Sequence, residues 1–286
     1  MRVGFVTQLL WTRYGKFWRM LLEEAGVEII MPDREQTLQA LESPRVAAVP
    51  GLAFKLAVAQ AFSLERADVI VAPSLNAGSE SQRGGGQDPW VADFPAALAT
   101  LGGLPPITGV PAWLEPQQET LVIETLQQVA RDPGRVRRVW DRHRAGLRVQ
   151  SIREPAWGRI AAGRGTVGVV GQPWLLDDEL VAKVVPDKTD GIGQHRLDPG
   201  RLRAEGSRID PRMTPTDREV LGAARLFSRR GNVDELHLII DESSGADLWL
   251  RDRVAKHGSK ALVVHELKAL LAGAGAEELL QHAPAD

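Results

Sequence analysis

No cysteine occurs anywhere in the 286 residues of this chain. That absence excludes a disulfide framework, a thiolate nucleophile, a CxxC redox pair and any cysteine-ligated zinc or iron–sulfur centre. Histidine is scarce as well, with six in all, and neither HExxH nor another close histidine pair offers a metal site. No stretch approaches the roughly 18–20 consecutive apolar residues of a membrane-spanning helix. The opening MRVGFVTQLLW lacks the basic start and long apolar run of a signal peptide. Charge of either sign is not in excess: the formal net charge is −2, which favours neither nucleic acid nor a membrane surface as partner. The expectation is a cytoplasmic protein.

What is present is ordinary globular material. The chain is 43% apolar and 25% charged, enough for a sizeable core, and its length suggests about two domains. Arginine outnumbers lysine and alanine is abundant, a bias of high-GC bacterial genomes, so arginine clusters need discounting before they count as binding sites. Tyr14 is the one tyrosine, against eight tryptophans, several of which follow strands or open helices where they could line a cleft.

Short β-branched runs alternate with amphipathic segments. Strands are expected at Val3–Val6, Val27–Met31, Val69–Ala72 and Ile107–Val110, the last three stopped by prolines. Helical patterns fall at 16–25, 34–42, 52–65 and 91–102, and again from 116 to 147 with a break at Asp132-Pro133-Gly134. Residues 150–165 read as a linker. A second alternating block follows: strands at Thr166–Val170, Lys183–Val185, Leu236–Ile240 and Ala261–Val264, a Gly/Asp-rich loop at 187–195, and helices at 176–182, 199–205, 216–229, 246–257 and 266–272. The tail from Gly273 is expected to fray. This predicts an α/β fold of two Rossmann-like parallel-sheet domains with a helical connection: 1–150, the linker 151–165, and 166–286.

The two blocks open alike. Val3-Gly4-Phe5-Val6-Thr7-Gln8, with Trp11 beyond, echoes Val167-Gly168-Val169-Val170-Gly171-Gln172, with Trp174 beyond. In such folds ligands sit outside the carboxyl ends of the strands. That rule selects Thr7, Gln8, Ser74, Asn76, Gln172, Asp241, Glu242, Ser243 and Ser244.

Several motifs carry less than their letters suggest. Gly163-Arg-Gly165-Thr-Val-Gly168 spells GxGxxG but precedes a strand, whereas a dinucleotide fingerprint follows a strand and opens a helix. No P-loop or GxSxG elbow is present. Ser243-Ser244 suits a helix N-cap, whose free amides could also hold an anion. The glycine- and serine-rich run from Asn76 to Asp88 reads as a lid or as an unstructured loop. Arg135, Arg138, Arg142 and Arg144 make either an anion site or a solvated helix face. His143, on the opposite apolar stripe, reads as a packing residue, as do His237 and His265.

Three further segments stand in order along the chain: Thr7-Gln-Leu-Leu-Trp-Thr-Arg-Tyr14-Gly-Lys-Phe-Trp18, Gly171-Gln-Pro-Trp174-Leu-Leu-Asp-Asp178-Glu179, and Arg218-Glu-Val-Leu-Gly-Ala-Ala224 leading to Val233-Asp234. Taken together, they resemble the 2-hydroxyacyl-CoA dehydratase family, in the branch described as activase-associated, over about residues 2–270. Catalytic members hold a [4Fe–4S] cluster on three cysteines. By the resemblance, those positions are Ala48 or Gly51, Asp88 and Ser244 here. Alanine and glycine cannot ligate iron, and a lone Asp with a Ser offers hard oxygens unsuited to such a cluster.

The resemblance therefore implies a cluster-less relative, a pseudoenzyme without radical dehydratase activity and without a cofactor. It would bind a small anionic molecule, a CoA thioester being one candidate, in a cleft between the domains. The residues expected to bind it are Gln8, Trp11, Tyr14, Ser74, Asn76, Asp88, Gln172, Trp174, Asp241, Ser243 and Ser244, with Asp88 and Ser244 facing one another. The alternative is a non-catalytic regulatory or scaffolding subunit, in a complex with a protein partner or as a homo-oligomer. A third reading uses Asp88, Asp241 or Glu242 as a general base.

Overall fold

Two four-stranded, all-parallel sheets flanked by helices make up a computed structural model that describes residues 1–77, 79, 81, 83–114, 118–147 and 165–271. In the first half, in chain order, β1 is Arg2–Phe5, α1 Trp11–Glu24, β2 Glu28–Ile30, α2 Arg34–Leu41, α3 Pro44–Ala47, α4 Leu52–Ser63 and β3 Val69–Ser74. After β3 come α5 (Pro89–Ala92), α6 (Phe94–Ala99), β4 (Ile107–Pro111), α7 (Glu119–Val129) and α8 (Pro133–His143). The second half has β5 (Thr166–Gly171), α9 (Asp178–Val184), β6 (Asp190–Gly193), α10 (Pro199–Ser207), α11 (Pro215–Ser228), β7 (Glu235–Ile240), α12 (Gly245–His257), β8 (Ala261–Glu266) and α13 (Leu267–Leu270). Among the described residues no helix is long and apolar enough to cross a membrane.

The chain divides into two Rossmann-like units: of the described residues, 1–77, 93–114 and 118–147 fall in the first, and 79, 81, 83–92 and 165–271 in the second. Segment 83–92, which a boundary at residue 150 would leave in the N-terminal domain, thus groups with the second unit. Residues 151–164 of the linker, which include Gly163 and Arg164 of the GxGxxG spelling, lie outside the described residues, as does the tail after Leu271.

The two sheets share one plan. Strand order is β2-β1-β3-β4 in the first and β6-β5-β7-β8 in the second. Register matches too: Val3 and Gly4 pair with Ile29 and Ile30, as Val167 and Gly168 pair with Gly191 and Ile192. The repeated Val-Gly has a packing cause. A Cβ on Gly4 would lie 3.0 Å from the Leu64 side chain, and one on Gly168 would lie 2.5 Å from the Phe227 ring, so each glycine lets a helix press against its central strand. A second repeat is hidden by its distance in sequence. Asp68 and Asp234, each just before the third strand, accept the first backbone N–H of β1 (Arg2, 2.7 Å) and of β5 (Thr166, 3.0 Å).

Three expectations change. The strand expected at 183–185 is the end of α9 and its exit, and the sheet is completed by β6, from the Gly/Asp-rich loop. Gly191 and Gly193 fit an edge strand there because added Cβ atoms would strike Val185 and the His195 ring. The helix expected at 91–102 is two helices, split where Asp93 caps α6 by accepting the Ala96 N–H at 3.2 Å. Helix α1 begins at Trp11 rather than Lys16, because Leu9 and Leu10 take positive φ (63° and 74°) and turn the chain at once.

In the second unit α10 and α11 form an antiparallel pair. Gly206 faces Arg218 and Gly222 faces Leu202, and a Cβ on either glycine would land on the opposite helix's backbone carbonyl. The pair packs on β5, which is buried along its whole length, through Val170, Leu202, Val220, Leu221 and Phe227.

Candidate functional site

In each sheet, successive crossovers leave the central strand on opposite sides, so the topological switch points lie at β1/β3 and β5/β7. A parallel sheet binds ligands beyond the carboxyl ends of its strands at such a point.

At the first switch point the backbone N–H groups of Thr7 and Gln8 both donate to Gln60 Oε1 (2.9 and 3.0 Å), and Gln60 Nε2 donates to Thr7 Oγ1 at 2.9 Å. Gln60, 2% exposed on α4, thus ties down the end of β1. Ser74 is half-buried at the end of β3 and Asn76 is buried just beyond it. Trp11 and Tyr14 take packing roles. Trp11 stands edge-on to both Phe5 and Tyr14. The fully buried Tyr14 donates its hydroxyl to the Val6 carbonyl at 2.9 Å, and burial raises its pKa. Gly51, one position the resemblance gives to a cluster cysteine, opens α4 at a φ of +79°, which side-chain-bearing residues rarely adopt; Ala48, the other, is exposed after α3.

The second switch point is chemically richer. Helix α11 runs antiparallel to the strands, its Phe227 against Gly168 and its Asp217 level with Gln172. Four strand residues span about 13 Å and ten helical residues about 15 Å, so the two elements keep pace. The first turn of α11 therefore meets the carboxyl end of β5. Gln172, Gln194, Thr214, Thr216, Asp217 and Glu219 are each no more than 1% exposed there.

Asp217 organises this layer. Its Oδ1 accepts Gln172 Nε2 at 3.2 Å and its Oδ2 accepts the Gly85 N–H at 3.0 Å. Burial pushes its carboxyl up to about 6, against the lowering effect of these hydrogen bonds. Gly85 belongs to a single 3₁₀ turn, Gly84–Gln87, within the 76–88 run. Side chains at Gly84 and Gly85 would strike Trp249 and Val91, so the glycines permit close docking. Arg83 secures the same turn to Asp210 at 3.0 Å. This part of the run is therefore structured; residues 78, 80 and 82 lie outside the described set.

After β7 a second set of carboxylates shapes the loop. Asp241 accepts the Ser243 hydroxyl and backbone N–H, while its own N–H donates to Asp247 Oδ2 at 2.8 Å. Ser244 caps α12 and its hydroxyl meets Asp247. Burial, then the negative charges of Asp241 and Asp217, push Asp247 up to about 8. Asp88 is half-buried, its pKa raised by burial, and its Oδ1 accepts the Trp90 N–H at 2.9 Å. Trp174 is half-buried in the turn after β5.

Among the described residues nine buried side-chain polar atoms have no hydrogen-bond partner, and two of them, Gln172 Oε1 and Gln194 Nε2, belong to amides held at the end of β5. Gln194 Oε1 accepts the Gly171 N–H at 3.4 Å, which brings its amide to the end of β5. Strand β6 pairs with β5 as far as Val169 and Gly193, and Gln194 opens the single 3₁₀ turn that follows, so it is the hydrogen bond to Gly171, the residue before Gln172, that sets its amide at the end of β5. His195 points the other way, onto Asp178 at 2.7 Å.

The strand-end candidates thus fall into two groups, one inside each unit. Gln60, Gln194, Asp217 and Asp247 were missed. Only Asp217 and Asp247 carry a sequence signal, three residues after Thr214 and Ser244, and it reads as helix capping. Among the described residues no three His, Asp or Glu side chains converge in a way that would hold a metal ion. Compared with protein-family models, curated proteins and solved structures, the chain matches none.

Proposed function

We propose that the second unit binds a small polar molecule at the carboxyl ends of β5 and β6, against Gln172 and Gln194. One observation carries this reading: two side-chain amides, each 1% exposed, lie at the end of the central strand with one polar atom apiece left unpartnered. An unsatisfied buried polar atom costs about 1–3 kcal/mol, so two together at a switch point call for a functional account. The buried Asp217 shapes the site from beneath, and the loop from Asp241 to Ser244 borders it at the neighbouring strand.

Thermal-shift measurements with small carboxamides, polyols, carboxylates and nucleosides at millimolar concentrations test the reading. Binders are expected, and Gln172→Met should abolish their effect. If no compound stabilises the protein, or if binding is indifferent to Gln172→Met, the reading is wrong. The dehydratase likeness adds CoA and acyl-CoA thioesters to the panel. On that reading the chain is a relative without the cluster, Asp88 and Ser244 standing where catalytic members carry thiolates. The absence of stabilisation by acyl-CoAs near millimolar concentration would count against a thioester ligand while leaving the polar site intact.

A second reading, a subunit that pairs with another protein chain, draws on β8. This strand is at the sheet edge, and its Val263 and Val264 are 37% and 38% exposed. Light scattering of the purified protein checks self-association; the mass of one chain would remove the homo-oligomer.

A further inference from the structure

We propose that the group taken up between Gln172 and Gln194 is neutral and both donates and accepts a hydrogen bond, as a primary carboxamide or a hydroxyl does, and that Asp217 sets this preference. The inference rests on the binding site proposed above and specifies what that site selects.

The argument turns on which end of each amide is committed. An ionised carboxylate only accepts and a backbone N–H only donates. Asp217 Oδ1 therefore requires Nε2 of Gln172, which leaves Oε1 turned away as an acceptor. The Gly171 N–H likewise requires Oε1 of Gln194, which leaves Nε2 as a donor. Partner chemistry thus fixes both amide orientations, which electron-similar atoms would otherwise leave open. The two remaining atoms are one acceptor and one donor, both buried.

A carboxamide or hydroxyl satisfies both atoms. A carboxylate satisfies Gln194 but sets its other oxygen against Gln172 Oε1, with the Asp217 carboxylate immediately behind. An ammonium satisfies Gln172 and leaves Gln194 Nε2 unpaired. Sites built for a particular donor or acceptor reject the mismatched analogue because their own buried atoms are left unsatisfied.

The orientation can be inverted. In Asp217→Asn the new Oδ1 would accept from Gly85, and Nδ2 would donate to Gln172. The Gln172 amide would then turn over and present Nε2. Two donors would face the ligand, the requirement of a carboxylate. Asp217 is thus a positioning residue that acts through Gln172.

The experiment compares isosteric pairs, acetamide with acetate and lactamide with lactate, at pH 7.5, following the side-chain amide resonances of Gln172 and Gln194 by NMR. The native protein is expected to prefer the carboxamide by about tenfold or more, and Asp217→Asn to reverse the order. Equal or tighter binding of the carboxylates by the native protein, lost in Gln172→Met, would overturn the inference and leave the binding site standing. Failure of every compound to perturb either amide would remove both. If Asp217→Asn does not fold, the native comparison still decides. A variant that folds and keeps the native preference would remove the role given to Asp217.

Discussion

Replacing Gly222 with alanine is expected to destabilise the second unit by about 3 kcal/mol or more, despite the better helix propensity of alanine. Propensity alone would favour the change by about 1 kcal/mol in a helix interior. Sterics oppose it, because the new methyl would land on the Leu202 carbonyl oxygen, and backbone cannot swing aside as a side-chain tip can. The antiparallel pair α10 and α11 would have to separate along its contact, taking Val220, Leu221 and Phe227 out of register with β5. Gly206→Ala, opposite Arg218, should behave alike. Gly245→Ala is the control, since an added Cβ there meets nothing within 4 Å. Urea denaturation of the three variants provides the measurement. A Gly222→Ala protein as stable as the native one would show that the helices do not approach so closely.

Raising the pH from 6 to 8 is expected to weaken the native protein through Asp247. Its folded-state pKa of about 8 lies above the unfolded value of about 3.9. Across this interval the unfolded chain has lost the proton and the folded one retains it, so stability falls by about 1.4 kcal/mol per pH unit. The contribution is fully present below about pH 4 and is lost progressively until the folded carboxyl itself ionises near 8. Asp217, lifted to about 6, adds the same sign between about 4 and 6. His257 and His265 oppose it: burial lowers their pKa values, so they restore some stability as pH rises through the unfolded histidine range. Asp247→Asn isolates the carboxylate, for its amide oxygen can still accept the Asp241 N–H. The difference in slope between native and variant should reach about 2–3 kcal/mol from pH 6 to 8, a melting-temperature divergence of roughly 5–10 °C. Parallel curves for the two proteins would mean that Asp247 titrates normally.

Apolar periodicity was enough to foresee two parallel-sheet units, because buried strands such as Val167–Val170, an unbroken apolar run, and Leu236–Ile240, broken only by His237, have few other interpretations. The failures share a cause. Strand β6, Asp-Gly-Ile-Gly, has almost no strand character of its own and exists because β5 offers it a ladder. The carboxyl-end rule selects Gln172 and Asp241, which follow strands directly, and Ser244, three residues beyond Asp241. It could not find Asp217 or Gln60, because these polar residues reach the strand ends from helices. Their inward orientation depends on how deeply Gly168 and Gly4 let those helices sit. Trp11 and Tyr14, expected to line the ligand cleft, are buried for a backbone reason that the sequence does not announce: two successive leucines at positive φ start the helix early and carry both rings into the core.

The docking of Gly85 on Asp217 also fixes an order of events during synthesis. The two residues are separated by 132 positions. At ribosomal rates the glycine turn emerges on the order of ten seconds before its carboxylate partner exists. During that interval the first unit can close its sheet around β3 and β4 while the intervening run waits for a unit still to be made. Its composition suits the wait: from Asn76 to Asp88 there is no β-branched or aromatic residue to pair with another nascent chain. The second unit therefore cannot be completed from its own contiguous stretch of chain. A fragment beginning at residue 151 would lack Arg83 and Gly85, leaving Asp217 and Asp210 each without one of its partners.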